Sequence, residues 1–151
     1  MYTGRKVILT KPAESDAKTL QKWYLDKDFR YWYDSYVSNS LDMIVDDIKN
    51  GRDITDPGAK KIDFIVRNKR DNEPIGVASI KDIDRQNGHA EIALGIADSD
   101  KRLAGFGVDL MIVLLDIVFY EFGFEKCYTK VNDNNTLGLK SALSFGFIGE
   151  G

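Results

Sequence analysis

The chain has 151 residues, a net charge of −3, and 43% hydrophobic and 30% charged side chains. That length suits one domain, residues 1–151, with a single core, and the composition excludes a disordered chain. The acidic balance gives no support to nucleic acid as a partner, and a lone cysteine, Cys127, excludes an internal disulfide.

Val7 to Thr10 reads as a first strand, ended by Pro12. The apolar run after Arg5 and Lys6 is too short for a signal-peptide core. Ser15 or Asp16 is placed to cap a helix through about Leu25, with Ala17, Leu20, Trp23 and Tyr24 on one face. An aromatic segment follows, Phe29-Arg30-Tyr31-Trp32-Tyr33. Ser40 opens a second helix through about Lys49, striped by Leu41, Ile44, Val45 and Ile48 and stopped by Asn50-Gly51. A polar loop with Asp56-Pro57-Gly58 leads to a strand over Ile62 to Arg67, a charged turn, and its hairpin partner Pro74 to Lys81.

After a turn at Asp84 to Gly88, His89 to Ile96 is the next strand. A glycine-containing loop, Arg102-Leu103-Ala104-Gly105-Phe106-Gly107, then opens a helix from Val108 to Phe122 that is apolar nearly all round, as a buried helix would be. Its most apolar stretch is too short to span a bilayer, which takes about 20 residues. With no membrane segment and no targeting signal, the expected location is cytoplasmic. Lys126 to Val131 reads as a strand, Thr136 to Phe145 as a helix, and Phe147 as the start of a last strand. Cys127, inside a strand and without a histidine partner, reads as a structural thiol.

Strand, glycine loop, helix is an arrangement that builds an anion site. The first N–H groups of a helix lack intrahelical partners, the dipole adds positive charge there, and glycine admits a phosphate closely. The loop supplies neither Gly-Lys-Ser/Thr nor the third glycine of a dinucleotide fingerprint, since position 110 is Leu110. It fits Arg/Gln-x-x-Gly-x-Gly/Ala. In this loop, in the order β-α-α-β-β-β-α-β-α-β, and in Asn135 followed by Gly146-Phe147, the chain resembles the GNAT N-acetyltransferase superfamily. Its front half is similar to the branch holding ribosomal-protein N-terminal acetyltransferases. Arg30-Tyr31-Trp32-Tyr33 with Ser40-Leu41-Asp42 resembles a segment of spermidine N-acetyltransferases of that branch, although aromatic packing between two helices is the simpler reading of so short a segment.

The resemblance implies an α/β (α+β) fold with a mixed, mostly antiparallel sheet and flanking helices. It implies acetyl-CoA as acetyl donor, and direct attack by a primary amine in a ternary complex. The amine would belong to a small molecule, a polyamine or a protein N-terminus. Arg102, Leu103, Ala104, Gly105, Phe106 and Gly107 would hold the pyrophosphate. The backbone of Leu94, Gly95 and Ile96 and the side chain of Asn135 would hold the pantetheine arm. Glu91 matches an acidic position that relatives use as a base. A solvated or ion-paired carboxylate at a sheet edge is the other reading of Glu91.

The chain departs from the family pattern at several places. Ala142 stands where the family usually has a tyrosine that protonates the leaving thiolate. Val108 replaces a hydroxyl residue after the loop. Only four residues follow Phe147, so the usual C-terminal hairpin is incomplete, and an unpaired edge there makes a homodimer one expectation. Ala142 and the short end also leave open a second function, a non-catalytic module that binds or senses acyl-CoA.

Overall fold

The computed structural model describes residues 2–33, 38–97, 105–130 and 148. Its frame is a six-stranded sheet in the order β1 (Tyr2–Thr3), β2 (Val7–Thr10), β3 (Ile62–Asn68), β4 (Pro74–Asp84), β5 (His89–Ile96), β6 (Lys126–Thr129). Every neighbouring pair is antiparallel except β5–β6. A parallel pair needs a long crossover, and the helix α4 (Phe106–Asp116) lies in it. Three helices fill the connection from β2 to β3: α1 (Ala17–Leu25), α2 (Lys27–Trp32) and α3 (Leu41–Lys49).

Alternation along the strands feeds two layers of core. Ile62, Phe64 and Val66 of β3 join Ile80, Ala90 and Ile92 on the face that receives Leu110, Leu114 and Ile117. Ile65 and Val77 point the other way, onto Ala17, Leu20, Phe29 and Ile44 of the three early helices. Leu110 and Leu114 are fully buried, each stabilising by about 2 kcal/mol through lost apolar surface.

The helix predicted as apolar nearly all round is buried on one face only. Val108, Ile112 and Phe119 keep 49%, 45% and 39% of their surface exposed, because the helix lies on a single sheet face. Its end widens into a π-turn over Ile117–Glu121, with Phe122 N–H donating to Ile117 C=O at 2.9 Å.

The helix starts also differ in detail from expectation. Asp16 stands at the start of α1 but does not cap it. Its carboxylate accepts from Ala13 N–H at 2.8 Å and from Arg67 at 2.8 Å. Asp26 caps α2 instead, accepting from the N–H groups of Asp28 and Phe29. The predicted helix over Thr136 to Phe145 and the strand from Phe147 lie outside the described residues.

Candidate active site

The ladder between β5 and β6 runs from His89↔Lys126 to Ile92↔Thr129 and stops there, while β5 continues through Ile96. Backbone direction along that extension follows from one bond. Ala97 N–H donates to Ile75 C=O on the β4 side at 2.8 Å. Alternation then turns the N–H and C=O of Leu94 and Ile96 toward the β6 side, beyond the last pair.

Gly95 faces the other way. Its carbonyl lies against Gly76 of β4, where a Cβ would strike it. What glycine supplies at 95 is space, since a Cβ there would stand 3.0 Å from Tyr33 and 3.1 Å from Phe29. Gly95 thus lets α2 settle on the sheet, and of the three predicted strand residues Leu94 and Ile96 are the two whose backbone groups turn toward the β6 side.

Past the end of β5 stands the N-terminus of α4. Gly105 takes a left-handed conformation, φ +84°, which glycine adopts without strain. Asp109 N–H closes the first helical bond onto Gly105 C=O at 3.2 Å, so the N–H groups of Phe106, Gly107 and Val108 precede the ladder. Among the described residues, a Cβ built on Gly107 meets nothing within 4 Å. Their packing does not require glycine there, and a ligand that comes close to the backbone would. Lys6 adds a cation, its Nζ 5.4 Å from the Phe106 ring centroid and 3.5 Å from a Cβ placed on Gly105. The carboxylate of Asp109 would oppose an anion, but it is turned away. It accepts from the N–H groups of Arg5, Lys6 and Val7 at 3.0, 2.8 and 3.0 Å. Arg102, Leu103, Ala104, Asn135 and Ala142 lie outside the described residues.

The face of the sheet that carries α1 to α3 holds the acidic candidate. Glu91 is 4% exposed and lies between two lysines. Its Oε2 is 3.2 Å from Lys81 Nζ, and its Oε1 is 3.2 Å from Lys130 Nζ. Glu91 is thus a buried carboxylate paired with two lysines, on an inner strand and not at the sheet edge that the ion-paired reading assumed. Lys130, whose side chain is 84% exposed, is the partner that can leave. The Glu91 contact holds the Lys130 ammonium above its ordinary range.

One strand away, Tyr33 and Ser79 hydroxyls share a hydrogen bond at 3.1 Å. Sequence reasoning did not place Lys81, Lys130, Tyr33 or Ser79 in the site. Lys81 alone carried a signal, as the last residue of a predicted hairpin strand that turns out to pair in register with Glu91. A cleft of about 330 Å³ opens beside this row between α3 and the sheet, bordered by Tyr24, Tyr33, Ile44, Asp47 and Asp63. Burial pushes the Asp63 carboxyl upward, Lys61 opposes, and the Asp47 charge adds to the rise.

Cys127 is no nucleophile. Burial, with Glu91 adding to it, pushes its thiol up to about 12, so the thiolate is absent at neutral pH. His89 sits at the start of β5, near Asp84 and edge-on to Tyr128, away from Leu94 and Ile96. Among the described residues no helix is long and apolar enough to cross a membrane.

Comparison with known proteins agrees with this geometry. The family model for the acetyltransferase (GNAT) domain matches residues 6–148. An uncharacterized N-acetyltransferase, p20, from Bacillus licheniformis is 27% identical over 152 aligned residues, covering 100% of this chain and 83% of its own length. Solved structures share the fold. A GNAT-family acetyltransferase from Bacillus anthracis superposes with a TM-score of 0.78 at 16% identity, covering 99% of this chain and 84% of its own. The spermidine N-acetyltransferase of Vibrio cholerae, in complex with CoA and spermine, superposes with a TM-score of 0.79 at 20% identity, covering 96% and 82%.

Proposed function

The chain belongs to the GNAT acetyltransferase family, and from that premise we propose that it moves an acetyl group from acetyl-CoA to a primary amine by direct attack in a ternary complex. Acetyl-CoA is the family's donor substrate. The observation that carries the assignment is the early end of the β5–β6 ladder at Ile92↔Thr129, with the α4 N-terminus beyond the far end of β5. Residues 93 to 96 carry β5 about 13 Å past the last pair. An extended thioester arm runs along that stretch, hydrogen-bonded by the backbone of Leu94. Its diphosphate rests on the first turn of α4 at Gly105, Phe106 and Gly107, with Arg102, Leu103 and Ala104 completing the loop and Asn135 holding the arm.

The thioester carbonyl then sits near the last ladder pair, and the amine arrives from the face that carries Glu91. Glu91 takes the ammonium proton, directly or through water, once Lys130 swings aside. The freed lone pair attacks the carbonyl carbon, the C–N bond forms, and the C–S bond breaks. Alanine at 142 offers the departing sulfur no phenol. An ordinary thiol ionises near pH 8.5, so a thiolate leaves at modest cost near neutral pH. The absence of a Cys127 thiolate argues against an acetyl-enzyme intermediate on that residue.

The carboxylates of Asp63 and Asp47 in the cleft favour a cationic acceptor of the polyamine kind over a neutral one, in line with the spermine held by the Vibrio cholerae neighbour. A peptide N-terminus is the next class. The test is release of CoA thiol from acetyl-CoA across a panel of spermine, short diamines and free-N-terminus peptides. Turnover on polyamines above peptides is the expected result. No thiol release with any amine would overturn the assignment.

A further inference from the structure

We propose that Lys130 is itself an acetyl acceptor, a site of self-modification that takes its acetyl group from acetyl-CoA bound along β5. The inference rests on the donor placement given above. Two independent features of the structure converge on this one side chain.

The first is position. Lys130 follows Thr129, the last residue of β6, and Thr129 belongs to the last ladder pair with Ile92. That pair marks the inner end of the donor track. Lys130 therefore starts where the thioester ends. The second is chemistry. Its ε-amine is already 3.2 Å from Glu91 Oε1, the place an acceptor ammonium has to occupy to lose its proton to Glu91. The side chain is 84% exposed, so its flexible four-carbon stem can turn. A tethered amine also reaches the carbonyl without the entropy loss of a diffusing acceptor.

Neighbouring lysines lack one feature or the other. Lys81 touches the same carboxylate but is only 26% exposed and stands on β4, across β5 from β6. Lys49 is an exposed, ion-paired lysine, 3.4 Å from Glu14, but it ends α3 and lies off the track. It serves as the internal reference.

The step balances as follows. Lys130 ammonium gives one proton to Glu91. Its nitrogen lone pair forms the bond to the thioester carbon. The C–S bond breaks with its electrons on sulfur, and the second nitrogen proton passes to that sulfur, giving free CoA and an uncharged acetyl-lysine. Glu91 returns its proton to water.

The experiment incubates the full chain with acetyl-CoA and no amine, and follows acetylation of each lysine by peptide mass spectrometry. Lys130 should be modified about tenfold or more faster than Lys49, at a first-order rate independent of protein concentration. Added spermine should slow it by competition. Glu91→Gln should slow Lys130 by about 100-fold and leave Lys49 unchanged. Should Glu91→Gln fail to fold, the wild-type ratio of Lys130 to Lys49 and its concentration independence decide alone. Lys130 modified no faster than Lys49, in protein that releases CoA with added amines, overturns the proposal and leaves the assigned function standing. No acetyl-CoA binding at all would remove both.

Discussion

Individual side chains in this protein do work that their type alone does not announce. Cys127 is the clearest case. Partial burial in β6 and the charge of Glu91 hold its thiol up to about 12. An ordinary thiol becomes reactive across roughly pH 7 to 9 as the thiolate forms. Cys127 should not, and its alkylation rate in native protein should stay flat over that range, then jump when denaturant is added. A rate that rises with pH in the native state would place the thiol in an ordinary environment. The sequence foretold an inert thiol, because nothing near Cys127 looked like a base. It did not foretell Glu91's two lysines. Lys81 and Lys130 are ten residues before and thirty-nine after Glu91 in the chain, and only the register of β4, β5 and the end of β6 brings them together. Gly95 was also read through its backbone, when its missing side chain is what α2 requires.

At the level of elements, strong periodicity was legible and short pieces were not. β2 and β5 match their predicted bounds, because alternating apolar residues end at clear turn or proline signals. β1, with two residues, is too short to show any period, and α2, with six, hides in an aromatic run whose packing onto Gly95 is tertiary. α4 was legible as a helix but not as a two-sided one. Leu114 is 0% exposed and Ile112 is 45% exposed, two residues apart on the same helix. A lysine at 114 would bury an unpaired charge and should cost about 4 kcal/mol, whereas Ile112→Lys should stay within about 1 kcal/mol. Urea unfolding of the two variants measures both. Equal losses would mean that the helix is covered on every side.

Across the whole molecule, the N-terminal strands are tied to the start of α4 through one carboxylate. Asp109, in the first turn of α4, gathers the N–H groups of Arg5, Lys6 and Val7, and Gly4 fits only because a Cβ there would strike Asp109. The β1–β2 turn is thereby clamped to the helix start to which we assign the donor. Hydrogen bonds to a charged acceptor are worth about 1.5–3 kcal/mol each, less where water can replace them. Asp109→Ala should lose about 3 kcal/mol of stability in urea unfolding and loosen the donor site with it, while a loss under about 0.5 kcal/mol would show the clamp to be idle. The same helix start gives the most direct test of the donor assignment. Gly105 cannot be replaced without straining a φ of +84°, but a Cβ on Gly107 meets none of the described residues within 4 Å, so a side chain there probes the ligand, with the melting temperature as the check on the fold. The decisive measurement is calorimetric titration of acetyl-CoA into wild type and Gly107→Val, with melting temperatures recorded for both. If acetyl-CoA lies against the first turn of α4, the variant melts at or above the wild-type temperature and binds at least about tenfold more weakly, a loss of about 1.4 kcal/mol. Equal affinity in a variant of unchanged stability would contradict the account.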